Sequence, residues 1–305
     1  MDEGGWDAIA EWRDLRLGEE GDLWHRALID PVVLAVLGPV RGLRVLDLGC
    51  GNGYLARKLA RAGAQVVGVD ASAVTLKFAR SRERASPLGI RYEERDAARL
   101  EGLADALFDR VVANMSLMDI RDAAGTVREV ARVLRPTGQF VFSISHPCFD
   151  IDAHSTWSVE RSLYEETIWR KVRSYREEEE LDVPWKISES DTRYTKSFHR
   201  TLSTYSRLLR EAGLSILRLE EPAPLPEMIE KSSEGRFIAE IPVHLVVQAV
   251  RCRPAPSAGR GRSRRVNRPA SRTSARSRRG ADRRSGSVRR TPGTGSSRRG
   301  SRLGS

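Results

Sequence analysis

The sequence predicts an α/β fold, a doubly wound and mostly parallel seven-stranded sheet, and three observations carry that prediction. Short β-rich runs alternate with helix-length segments in the first half of the 305-residue chain, a glycine-rich turn joins the first run to a helix, and the last apolar run ends at Val250. Strand and helix alternating at this spacing is the pattern of βαβ units wound on both faces of a sheet.

Residues 43–48, 65–69, 90–93, 108–113 and 139–144 read as strands, each bounded by Gly, Asp or Pro, with helices over 53–62, 72–84 and 122–134 between them. In the last helix Val127, Val130, Val133 and Leu134 share one face, and Arg135-Pro136 followed by Gly138 stops it. Residues 149–198 break the rhythm. They are polar, carry Trp157, Trp169 and Trp185 and the acidic run Glu177 to Glu180, and read as an insertion of mixed local structure placed to cover the strand ends. The rhythm resumes with a helix at 201–212, closed by Gly213, and strands at 214–219 and 241–250.

Charge divides the chain in two. The net charge of +11 conceals a segment, 253–305, with 17 Arg and one acid, while residues 1–252 sum to −5. The expected organisation is therefore one domain over 1–252 and an Arg/Ser/Gly-rich tail over 253–305, which lacks aromatics and has too few apolar residues to offset the entropy of ordering. Three readings of the tail stand: nonspecific contact with nucleic acid, a specific role, or a GC-rich frame translated beyond its usual stop. No run of eighteen apolar residues suggests a membrane span, and the acidic N-terminus does not resemble a secretory or transit segment. Cys50, Cys148 and Cys252 are widely spaced, which fits free thiols in a reducing cytoplasm and no metal site.

The chemistry concentrates at the strand ends. In 45–53, VLDLGCGNG, a strand delivers Asp47, and Gly49, Gly51 and Gly53 form a GxGxG turn into a helix, where backbone can approach a ligand closely. Asp70 ends the second strand, Asp96 follows the third and Asn114 the fourth. Open α/β sheets bind ligands at these carboxyl ends. Taken singly, Asp70 could be a strand-end cap and Asp96 a turn former.

Over residues 24–250 this constellation resembles the class I S-adenosylmethionine-dependent methyltransferases, with the subgroup of bacterial small-molecule enzymes suggested by the HPCF, HRTLSTY and EEPAPLP segments. The resemblance implies a Rossmann-like methyltransferase fold with S-adenosyl-L-methionine as cofactor. It implies that Asp47, Gly49, Cys50, Gly51 and Gly53 lie at the methionine and ribose portion and that Asp70 binds the ribose, with Ala71 and Ser72 beside the adenine. Asp96 and Ala97 would meet the adenine amino group, and Asn114 and Met115 would present backbone to the methionine amino group. The glycines read GxGxG rather than the GxGxxG of dehydrogenases, since no pyrophosphate needs cradling.

On the acceptor side the candidates are His146, at the end of the fifth strand, His199 at the start of the next helix, and Asp119. Histidine is suited by its titration range to take a proton from a hydroxyl or ammonium; either histidine could instead be locally hydrogen-bonded. Cys50 and Cys148 read as small buried residues. Trp24 and His25 are expected in a helix that closes over the cofactor, and the insertion is expected to form the acceptor pocket, with Tyr175, Tyr194, Tyr205 and the tryptophans as wall or core. The expected reaction is SN2 methyl transfer to an oxygen or nitrogen of a small molecule, without metal. The rival readings are an RNA-directed methyltransferase that uses the tail and a non-catalytic S-adenosylmethionine-binding regulator.

Overall fold

A computed structural model describes residues 5–251. The segment read as a disordered tail, and Cys252, lie outside the described residues. In chain order the elements are α1 (Trp6–Leu17), a π-helical turn (His25–Ile29), α2 (Asp30–Leu37), β1 (Arg44–Leu48), α3 (Tyr54–Arg61), β2 (Gln65–Asp70), α4 (Ala73–Ala85), β3 (Arg91–Glu94), β4 (Phe108–Asn114), α5 (Ala123–Val133) and β5 (Leu134–Ser145). The insertion holds β6 (Ser155–Arg161), β7 (Glu166–Val172), β8 (Glu180–Lys186) and β9 (Thr192–Phe198). It is followed by α6 (Leu202–Glu211), β10 (Leu214–Glu220), α7 (Pro226–Lys231), α8 (Gly235–Glu240) and β11 (His244–Arg251).

The main sheet has the order β10-β11-β5-β4-β1-β2-β3. β11 runs antiparallel to both β5 and β10, and the pairs among β1 to β5 are parallel. Strands buried on both faces need apolar residues in unbroken runs. Val45, Val66, Val112 and Val141 pack into one core with α2, α3 and α4, while Leu46, Val67, Val111 and Phe140 pack into the other with α5 and α6. The predicted helix starts at 72, 122 and 201 are N-caps. Ser72, Asp122 and Thr201 each accept a backbone N–H from three residues on, which satisfies a donor the helix itself cannot. β5 begins at Leu134, five residues before the predicted start, because Leu134 pairs with Phe108 before the register shifts to Gln139 opposite Arg110. That irregularity accommodates Pro136.

The insertion is more regular than the sequence suggests: β6 pairs with β7 and β8 with β9, both antiparallel. The second hairpin holds α1 in place. Trp185 of β8 meets the rings of Trp6 and Trp12 at 5.9 and 5.8 Å, and its indole N–H donates to Thr195 Oγ1 at 2.8 Å. On the other side of α1, Asp14 accepts from Arg82 of α4 and from Asn52 at 2.8 Å, and Ser72 Oγ donates to Asp7. α1 is thus fastened from both sides across the carboxyl ends of β1 and β2.

Trp185→Ala is expected to lower unfolding stability by ~2 kcal/mol, less than for a fully buried Trp because the ring is half-buried, with Trp185→Phe losing less. Urea unfolding followed by circular dichroism checks it, and a loss under about 0.5 kcal/mol would mean that α1 does not depend on this ring.

Candidate active site

Strand order reverses between β1 and β4: the chain moves from β1 outward to β2 and β3, then returns to place β4 on the other side of β1. Crevices form at the carboxyl ends of such a switch point. A cavity of about 290 Å³ lies there, walled by the loops after β1, β2, β3 and β4 and roofed by α1.

The glycine turn makes the floor. Gly49, Gly51 and Gly53 have φ of 71°, 53° and 79°, a region costly for other residues. A Cβ on Gly49 would come within 2.5 Å of Ser116 Cβ, and one on Gly53 within 2.4 Å of the Tyr92 hydroxyl, so these two glycines allow β4 and β3 to close on the turn. Gly51 differs: it lines the cavity, and an added Cβ would meet nothing within 4 Å. Its backbone is open to a ligand.

Asp70 joins the first two loops, because its carboxylate accepts the Gly51 N–H at 2.8 Å and the Ser72 N–H at 2.9 Å. Burial pushes this carboxyl above its usual range while those N–H groups pull it down. Asp96 accepts the Ala98 N–H at 2.8 Å through Oδ1. Asn114 donates to Tyr54 Oη at 2.8 Å and to Asp30 at 3.1 Å, and accepts from Ser143 Oγ at 2.6 Å. Met115 takes φ +52°, a strained value for a non-glycine residue, with its N–H held by Ser143; strain of this kind concentrates at functional sites.

A methyltransferase domain family matches residues 46–142. An S-adenosylmethionine-dependent methyltransferase from Mesorhizobium loti has 31% sequence identity and a TM-score of 0.58, over 72% of this chain and 96% of that one. The chain belongs to the class I S-adenosylmethionine-dependent methyltransferases. Two ubiquinone biosynthesis O-methyltransferases are also similar. That of Alkalilimnicola ehrlichii is 35% identical over 111 residues, 36% of this chain and 45% of its own length. That of Paracidovorax citrulli is 39% identical over 143 residues, 45% and 55% of the two chains. The chain spans about half the length of these curated relatives.

S-adenosylmethionine is the cofactor of this methyltransferase family, and the cavity suits it: open space at Gly51 and carboxylates at Asp70 and Asp96. Of the residues expected at the cofactor, Gly49, Cys50, Gly51, Asp70, Ala71, Asp96, Ala97, Asn114 and Met115 line this cavity. Asp47, Gly53 and Ser72 do not: Asp47 is buried beneath the turn, Gly53 starts α3 and Ser72 caps α4.

A second cavity, about 320 Å³, adjoins the first and shares Trp6, Arg13, His25, Met115 and Asp119 with it. Asp119 is thus brought to the junction, where burial, and then the Asp152 charge, push its carboxyl well above the usual range. His146 and His199 line neither cavity. The His146 ring accepts the Cys148 N–H at 3.1 Å and faces Glu221 at 3.1 Å, and the His199 ring donates to the Tyr175 carbonyl at 2.9 Å. Both ring nitrogens of His146 and Nε2 of His199 are thus engaged locally, in line with the alternative the sequence left open. Among the described residues no cluster of ligating side chains could hold a metal, and no helix is long and apolar enough to cross a membrane.

Asp47 gives a pH test. Burial first, then the Asp70 charge, raise its carboxyl from 3.8 to about 7. The folded state therefore binds this proton more tightly than the unfolded state, and the associated stability is complete below pH about 4 and lost as pH rises through about 7. Relative to Asp47→Asn, the wild type should lose stability steadily between pH 4 and pH 8 in chemical denaturation; a constant difference would contradict the assignment.

Proposed function

We propose that this chain transfers the methyl group of S-adenosylmethionine to an oxygen or nitrogen of a small molecule held in the second cavity. The observation that carries the reading is the pair of chambers meeting at the strand ends, each about 300 Å³, a size that suits a cofactor and a compact acceptor better than a polymer. The identity to the O-methyltransferases of ubiquinone biosynthesis supports a small acceptor. Neither rival is favoured: a regulator needs no second chamber beside the cofactor, and the similar O-methyltransferases of ubiquinone biosynthesis speak for a small acceptor over RNA.

In this reading Asp70 accepts hydrogen bonds from the ribose, Asp96 and Ala97 meet the adenine, and the backbone of Gly49 to Gly51 and of Asn114 and Met115 surrounds the methionine portion. Asp47, Gly53 and Ser72 act beneath, by holding the turn and the start of α4. Bound S-adenosylmethionine supplies an electrophilic sulfonium methyl. The protein supplies position: aligning acceptor and methyl in a chamber closed by α1 and the second hairpin removes most of the entropic barrier.

Asp70→Ala should weaken S-adenosylhomocysteine binding about 10- to 100-fold, the range for losing hydrogen bonds to a charged group. Isothermal calorimetry measures this, and unchanged affinity would sink the reading. Removal of residues 253–305 separates the acceptor classes. A small-molecule enzyme should keep its rate within about twofold, whereas an RNA-directed one should lose affinity as phosphate contacts disappear.

A further inference from the structure

The geometry points to the Asp22–His25 pair as the proton acceptor of this enzyme, acting on the hydroxyl of a planar phenol seated among the tryptophans of the second chamber. The inference rests on the methyl-transfer reading above and specifies its base and its substrate class.

His25 is one of the five residues that face both chambers, the place where a methyl donor and an acceptor would meet. It opens the π-helical turn, a local irregularity frequent at functional sites. Its Nδ1 lies 2.7 Å from Asp22 Oδ1, which also takes the His25 backbone N–H at 3.1 Å, and Arg13 donates to Asp22 Oδ2 at 3.2 Å. Burial works to raise the Asp22 carboxyl, but the His25 hydrogen bonds and the Arg13 charge hold it well below the usual carboxylate range. An ionised carboxylate only accepts, so the ring carries its hydrogen on Nδ1 and offers a lone pair at Nε2. Nε2 has no hydrogen-bond partner among the described residues. Tyr54 fixes the ring plane edge-on at 5.3 Å, and Gly21 allows the close turn, since a Cβ there would lie 2.9 Å from His25 Cβ. This is a base with a positioning residue behind it.

The substrate class follows from the walls. Trp6, Trp12, Trp24 and Trp185, four of the chain's six tryptophans, line the second chamber, and flat π faces select a flat apolar ring. A further feature marks a ligand there. His244, buried beside Trp24, has an Nδ1 with no partner, and burial lowers its titration to about 3, so it stays neutral and free to bond an acceptor substituent.

The step balances. The phenolic O–H proton passes to His25 Nε2 and the oxygen forms the new C–O bond. The S–C bond breaks with its electron pair going to sulfur, and the imidazolium charge gained is matched by Asp22.

The test uses the full chain with S-adenosylmethionine and two probes, catechol and o-phenylenediamine, products weighed by mass spectrometry, with S-adenosylhomocysteine calorimetry alongside. Catechol should gain one methyl and the diamine none. His25→Gln should lower kcat by about 100-fold or more while S-adenosylhomocysteine affinity changes less than about threefold. The pH dependence of the wild-type rate, read with Asp22, Arg13, Tyr54, Asp119 and His244 facing the ring, should lose its acid limb in His25→Gln. Asp22→Asn should lose part of kcat and shift the His25 Nδ1–H signal in nitrogen-15 spectra. Those spectra read the wild-type tautomer directly, whether or not a variant folds, and an Nε2–H tautomer overturns the assignment. So do a His25→Gln rate above about one third of wild type with the same pH profile, methylation of the diamine in place of catechol, or bound S-adenosylhomocysteine with no methyl on either probe. If S-adenosylhomocysteine does not bind the wild type, the methyl-transfer reading itself fails and this assignment with it.

Discussion

Asp30 is the joint on which the site depends. A carboxylate this deeply buried is tolerated only when its oxygens are satisfied, and two elements supply three donors: Tyr54 Oη at 3.1 Å and Lys58 Nζ at 2.9 Å from α3, and Asn114 Nδ2 at 3.1 Å from the end of β4. Asp30 itself begins α2, directly after the π-helical turn that carries His25. One buried charge therefore ties the glycine-turn helix, the fourth strand and the His25 segment to one another. Breaking it would loosen the His25 segment from α3 and β4.

Around that joint the two chambers divide the work by chemistry. The first is backbone and carboxylate: the Gly51 amide is already directed at Asp70, and Asp96 lies at the next strand end. The second is aromatic and closed by elements outside the parallel sheet, α1 and the β8-β9 hairpin, which meet through Trp6, Trp12 and Trp185. In the proposed reading the sheet fixes the cofactor side, and the additions to it shape the acceptor side.

That division also explains what could be read from the sequence. The strands of the main sheet were legible as short apolar runs where both faces are buried, as in β1, β2 and β11, while the largely exposed β3 and β10 were marked by the glycines before them, Gly89 and Gly213; the caps Ser72, Asp122 and Thr201 marked the helix starts within a residue. α1 was not legible. It buries only Ile9, Ala10 and Leu17 and mixes charges along the rest, so no apolar stripe announces it. The insertion strands are half exposed and one contains Pro184, which blurs the period-2 signal. Strand-end position drew attention to His146, but position does not reveal that its ring is occupied by Cys148 and Glu221. The better signal was Gly21-Asp22 followed by His25, a D-x-x-H spacing whose meaning depends on a π-helical turn that periodicity does not announce.

A crystal structure with S-adenosylhomocysteine tests the central claim, that the two chambers meet at the transferring atom. The account predicts the ribose hydroxyls within hydrogen-bond distance of Asp70, the adenine beside Asp96, and the thioether sulfur directed at the junction of His25 and Asp119. A ligand bound with its sulfur turned away from that junction, or seated outside the crevice of β1, β2 and β4, would contradict it.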